Sequence, residues 1–140
     1  MSTGISTFDR TVQKTHMWLN ELSAQMAWEG QDKAYAALRA TLHALRDRLP
    51  PVEAAELGAQ LPMLIRGFYY EGWSPTGKPL KERRKKQFLA HIDEELKDRH
   101  LGSSEEIARS VFKVLKHRIT QGEMQDVTHI LPREIRKLFD

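Results

Sequence analysis

Laying positions 17–70 of the sequence over positions 87–140 requires no gap, and this self-register constrains the fold more than any other feature of the chain. It brings together Leu19 and Leu89, Leu45 and Leu115, Arg48 and Arg118, Glu53 and Glu123, Leu61 and Leu131, Pro62 and Pro132, Ile65 and Ile135, and Arg66 and Arg136. Sparse identities carry little weight alone, but core-type residues exchange at the same register. Trp18 falls on Phe88, Leu22 on Ile92, Met26 on Leu96, Leu42 on Phe112, Leu49 on Ile119, Leu57 on Val127 and Phe68 on Leu138. Matched apolar positions at one fixed offset mark a repeated supersecondary unit. The expectation is an all-α fold of two homologous four-segment helical halves packed as a pseudo-twofold bundle. The halves are residues 1–70 and 87–140, joined by a basic connector, 71–86, within one compact domain.

The helices themselves are read from spacing. Phe8, Val12, Thr15, Leu19, Leu22 and Met26 recur every three or four residues, the period of an amphipathic helix, with Ser6 and Asp9 as its capping box. A second helix carries Ala34, Leu38, Leu42, Leu45 and Leu49, opens after Asp32 and is stopped by Pro50-Pro51, since proline cannot continue the backbone ladder. Pro51 starts a short third helix, "PVEAAELGAQ", and Pro62 separates it from a fourth. In the second half Ser103 with Glu106 and Thr120 with Glu123 make capping boxes for the sixth and seventh helices. Leu38, Leu42, Leu45, Leu61 and Ile65, with Leu115, Leu131 and Ile135, are the expected core.

Composition narrows the class. With 40% hydrophobic and 29% charged residues the chain reads as an ordinary globular protein. The absence of cysteine removes disulfides, thiol nucleophiles and thiolate metal sites. No run of about 18 apolar residues occurs, and "MSTGISTFDR" has neither a basic nor an apolar leader region, so a cytoplasmic protein without membrane contact is expected.

The segment "LRATLHALRDRLPPVEAAELGAQLPMLIRGFYYEGW" contains "LRDRLP", Glu53-Ala54-Ala55, "AQLP" and "YYEGW", and a Phe88-Leu89 helix follows. With "VLKHRITQGEMQDVTHILPREIRKLF" these elements make most of the chain resemble a bacterial family catalogued only as domain-of-unknown-function family 2267. The resemblance implies a helical fold and a small bacterial protein, and it carries no chemistry. "KERRKKQF" is more basic than the family pattern.

Enzyme signatures are missing: there is no glycine-rich phosphate loop, HExxH or nucleophile elbow, and no catalytic residue or cofactor is expected. Asp126-x-x-His129 is the nearest approach to a helical metal motif, but its counterparts in the first half are Glu56 and Ala59, so no metal site is expected. Arg48 and Arg118 close helices, and Glu53 and Glu123 sit in the first turns that follow, which reads as a repeated structural clamp. The connector is the sharpest functional feature. Four aromatics, Phe68, Tyr69, Tyr70 and Trp73, precede Lys78, Lys81, Arg83, Arg84, Lys85 and Lys86. A helix starting near Pro79 would crowd cations into its positive end, so either the helix starts later or the charges serve something outside it. The expected function is a non-catalytic interaction or regulatory module, taking a protein partner or a second copy on Tyr69, Tyr70, Trp73, Arg66 and Arg136. The alternative is non-specific nucleic-acid or polyanion binding by the six cations, with Tyr70 or Trp73 stacking on bases.

Overall fold

The computed structural model describes residues 2–140 and is all-helical. Eight α-helices occur among the described residues: α1 (Ser6–Met26), α2 (Asp32–Arg46), α3 (Pro51–Ala59), α4 (Met63–Tyr70), α5 (Lys85–Glu95), α6 (Ser104–Arg118), α7 (Gln121–Ile130) and α8 (Arg133–Arg136). A 3-10 turn, Lys137–Phe139, extends the last. None of them is long and apolar enough to cross a membrane.

The local signals explain most boundaries. Pro50, Pro62 and Pro132 stand immediately before α3, α4 and α8 with nearly the same extended backbone, φ −56° and ψ about 150°. Ser103 Oγ accepts the Glu106 N–H and Thr120 Oγ1 the Glu123 N–H, both at 3.3 Å, which satisfies an orphan donor at each start. The Ser6–Asp9 box does not form. Ser6 already lies inside α1, and the Asp9 carboxylate instead accepts from the backbone N–H and hydroxyl of Thr3, at 2.7 and 2.8 Å. The connector relieves the cation crowding in part: residues 80–84 are not helical, so Lys81, Arg83 and Arg84 lie outside α5, which begins at Lys85 and keeps Lys85 and Lys86 in its first turn. Gln87 Oε1 accepts the Arg84 N–H there, at 3.2 Å.

Packing centres on α2 and α6, which lie against each other; α1 packs on both, and so does α5. The helix α4 lies against α1, α2 and α3, the terminal turn lies on α6, and α3 meets α7. All eight expected core residues are at most 1% exposed. Most of the matched apolar pairs, identical and exchanged, are buried on both sides; Met26 is partly exposed, as is Leu89. The connector is docked rather than loose: Leu80 N–H donates to Asp47 O at 2.8 Å, and Glu82 pairs with the buried Arg48 at 2.8 Å. One expectation fails in α1, where the apolar stripe is only partly covered. Trp18, Leu19 and Leu22 are buried, whereas Phe8 is 46% exposed and Val12 36%.

Candidate functional site

The residues singled out in the connector separate into two groups. Lys81, Arg83, Arg84 and Lys86 are exposed and Lys78 half-buried, and among the described residues none of the five forms an ion pair. Lys85 is engaged, its ammonium with Glu105 at 3.0 Å and its amide with Glu134 at 2.9 Å. The aromatics pack inward. Tyr69 is fully buried, so it belongs to no partner surface. Its hydroxyl donates to Ala54 O at 2.7 Å, and burial pushes the phenol well above its ordinary range. Tyr70 and Trp73 are half-buried and tilted on each other at 5.6 Å between ring centroids, while Tyr69 meets Tyr70 edge-on at 4.9 Å. Rings held this way against the core are poorly placed to stack on a base. Arg66 donates to the carbonyls of Gly58 and Leu61 at 3.0 and 2.9 Å, and Arg136 donates to Leu131 O at 3.0 Å. Both arginines, which lie 70 positions apart in the sequence, thus satisfy carbonyls at the end of the preceding helix.

The exposed start of α1 forms one wall of a groove that sequence reading does not anticipate. Its opposite wall is α4, with Met63 44% and Leu64 45% exposed, and Tyr35 of α2 closes one end. The space measures about 860 Å³. Thr11 Oγ1 accepts the Leu64 N–H at 2.9 Å, and Tyr35 meets Phe68 edge-on at 5.3 Å, so both walls are fixed to the core. Gly67 lies between them, and a Cβ added there would meet nothing within 4 Å. The repeat register holds a signal for this groove. Tyr35, Met63 and Leu64 fall on Glu105, Arg133 and Glu134, and the same offset carried to the N-terminus places Phe8 on Lys78 and Val12 on Glu82.

A second arrangement lies where α3 meets α7. Carboxylate oxygens of Glu53, Glu56 and Glu123 come within 4.8 Å of one another. Glu123 is 9% exposed, and Oε2 of both Glu53 and Glu123 is sealed from solvent with no hydrogen-bond partner. Two full negative charges this close repel by about 3 kcal/mol at an effective dielectric of about 20. Burial, and then the charges of Glu53, Glu56 and Asp126, push the Glu123 carboxyl up to about 7, and burial with Glu56 and Asp126 raises Glu53. Glu53 and Glu123 stand in the first turns of α3 and α7 as expected, and Arg118 in the last turn of α6, while Arg48 lies just past the end of α2. Arg48 bonds Glu82, Arg118 bonds Glu21 at 2.9 Å, and the two repeated glutamates face each other. Gln125, Asp126 and His129 line a basin beside Glu53.

No curated protein is detectably similar to the chain. Residues 15–138, which span every helix except the start of α1, match the model of an uncharacterized conserved protein family, and the chain belongs to that family, DUF2267.

Proposed function

We propose that the chain is a non-catalytic protein-interaction module made of two homologous halves related by a pseudo-twofold axis, and that the α1–α4 groove takes an amphipathic helix of a protein partner. The twofold reading is supported by α3 and α7 starting at equivalent positions of the repeat register, as do α4 and α8, and by α1 and α5 both packing across the α2–α6 pair. The observation that carries the interaction reading is the contrast between equivalent faces. In the second half the face holds Glu105, Arg133 and Glu134, with Lys85 bonded to both glutamates; in the first it holds Tyr35, Met63 and Leu64. Contiguous exposed apolar side chains between two fixed walls are the geometry of helix-in-groove recognition. Ile5, Phe8 and Val12 repeat at three- and four-residue intervals, so the complementary ligand is a helix with apolar residues at matching spacing.

The test compares wild type with Phe8→Glu/Leu64→Glu and with Gly67→Trp, whose Cβ has open space around it and whose ring would occupy the groove. Cross-linking from residues bordering the groove, followed by identification of the captured segment, should recover an amphipathic helix from wild type and lose it from both variants. Sedimentation velocity on the purified chain reports whether that helix comes from a second copy. Capture unaffected by the variants, together with a monomer, would refute the reading.

A second reading is favoured by the five unpaired cations of the connector, which would attract a polyanion without reading sequence. Replacing Lys81, Arg83, Arg84 and Lys86 by Ala should then flatten the salt dependence of oligonucleotide binding by roughly 0.7–0.9 in log–log slope for each phosphate no longer neutralised. No binding at low salt would end it.

A further inference from the structure

We propose that the α3–α7 junction is a binding site for a hard divalent cation, held by Glu53, Glu56 and Glu123. The donor set comes from two helices that meet only in the folded chain: Glu53 and Glu56 lie one turn apart on the same face of α3, and Glu123 reaches them from the first turn of α7. Their oxygens lie within 4.8 Å of one another. That spacing suits oxygens around a cation with bonds of about 2.3–2.6 Å, the range for calcium.

Acidic groups at a surface often gather without binding anything, and a separate property distinguishes this junction. Glu123 is only 9% exposed, and among the described residues its carboxylate is hydrogen-bonded to nothing. The Thr120 hydroxyl accepts the Glu123 backbone N–H at 3.3 Å, as a helix cap requires, but the Glu123 side chain does not return the bond. It points at Glu53 and Glu56 instead. Buried carboxylates in folded proteins are normally paired with a cation or with donors, yet among the described residues no lysine, arginine or histidine forms an ion pair with Glu53, Glu56, Glu123 or Asp126. A cation would supply the missing partner for the sealed oxygens of Glu53 and Glu123 at once. The alternative occupant is a proton shared between carboxylates, which would satisfy one pair of oxygens and leave the third group facing them.

The chemistry of the donors selects the kind of ion. Three carboxylates without thiolate favour calcium, magnesium or manganese over softer metals. The adjoining basin, about 380 Å³ and lined by Glu53, Gln125, Asp126, His129 and Ile130, gives an ion a path from solvent and room for coordinated water. Asp126 adds a fourth negative group at its edge, which raises the local attraction for any dication.

The experiment is titration of chelator-treated protein with calcium, magnesium and manganese chlorides separately, read by calorimetry and by thermal unfolding. Wild type should bind at least one of them with 1:1 stoichiometry and unfold at a higher temperature in its presence. Glu123→Gln and Glu53→Gln should lose at least tenfold in affinity. Glu56 is exposed, so Glu56→Gln keeps the fold whatever happens at the buried positions, and it should weaken binding too. Metal-free Glu123→Gln should unfold above metal-free wild type, because the substitution relieves repulsion. Absence of binding by all three ions at millimolar concentration overturns the proposal in favour of the shared proton. Binding that is equally tight in all three variants overturns it as well, since the ion would then sit elsewhere.

Discussion

Gly58 lies inside α3, and substituting it tests how tightly the aromatic seam is packed. In an unconstrained helix, Gly→Ala stabilises by roughly 0.5–1 kcal/mol, because alanine loses less backbone entropy on folding. At Gly58 the gain is opposed. A Cβ built there would collide with the Tyr70 hydroxyl, lie 2.8 Å from Tyr70 Cζ and lie 3.1 Å from Tyr69 Cε2. Tyr69 is fully buried and anchored to Ala54 O, so it cannot yield, and Tyr70 is held between Tyr69 and Trp73. Overpacking of this kind costs roughly 1–3 kcal/mol. The sum predicts that Gly58→Ala destabilises by about 0.5–2 kcal/mol. Gly67 in α4 is the internal reference, because a Cβ there meets nothing and Gly67→Ala should show the ordinary gain. Urea unfolding followed by circular dichroism measures both; for a chain of this size 1 kcal/mol corresponds to roughly 3–5 °C in Tm. The Tyr70→Leu background isolates the cause. If the ring is what the methyl meets, Gly58→Ala should become neutral or stabilising there, a coupling of roughly 1–3 kcal/mol. Gly58→Ala as stable as Gly67→Ala, or strictly additive with Tyr70→Leu, would refute the packing argument.

Two further outcomes follow from the core and its charged edge. Leu45 is completely buried between helices, and Leu45→Ala should cost roughly 2–5 kcal/mol in urea unfolding, with the spread set by how far the site collapses. Glu95 joins α5 to α2 through His43 at 2.9 Å and Arg39 at 3.2 Å; burial alone would raise its pKa, but the His43 hydrogen bond and the His43, Arg39 and Arg46 charges outweigh burial and lower it. A carboxyl with a folded pKa below its unfolded one contributes stability that is fully present above the unfolded value, about 4.3, and lost as pH falls through the folded one. Glu95→Gln should therefore lower stability at neutral pH and make the acid limb of stability against pH shallower, by urea midpoints from pH 7 down to pH 3.

What the sequence discloses and what it withholds divide along physical lines. Helix starts at Pro51 and after Pro62 and Pro132 are legible because proline acts locally, through its fixed φ and missing N–H. The buried leucines are legible because period reports which residues share a face. Period does not report how fully anything covers that face, so Phe8 and Val12 belong to the apolar stripe of α1 and yet stay 46% and 36% exposed. The Ser6–Asp9 cap misleads for a local reason: Thr3 offers Asp9 both an amide and a hydroxyl, which moves the helix start. Glu53 and Glu123 stand out as a repeated pair, and each reads as a carboxylate favoured in the first turn of its own helix. Their actual juxtaposition depends on α3 meeting α7, a contact between segments from opposite halves of the chain that neither segment encodes alone.

On the reading of two homologous halves, the sites lie where the halves differ and where they meet. The helix α1 has 21 residues and α5 has 11 residues, and the stretch matching the first turns of α1 is the docked connector. That replacement removes one wall of the groove from the second half. The face left behind there is charged and is tied down by Lys85 to Glu105 and Glu134. A duplicated fold needs apolar surface on its outer face in only one copy if a single partner is to be bound, and the charged copy limits open-ended association through a second equivalent patch. The carboxylates obey the opposite logic. Position 53 matches position 123, so two residues at one register meet at the junction, and the Glu53–Glu56 pair of α3 gains a third carboxylate from α7. A substitution in the groove should therefore leave the unfolding temperature largely unchanged and alter partner capture, whereas one at the junction should alter stability with or without a partner.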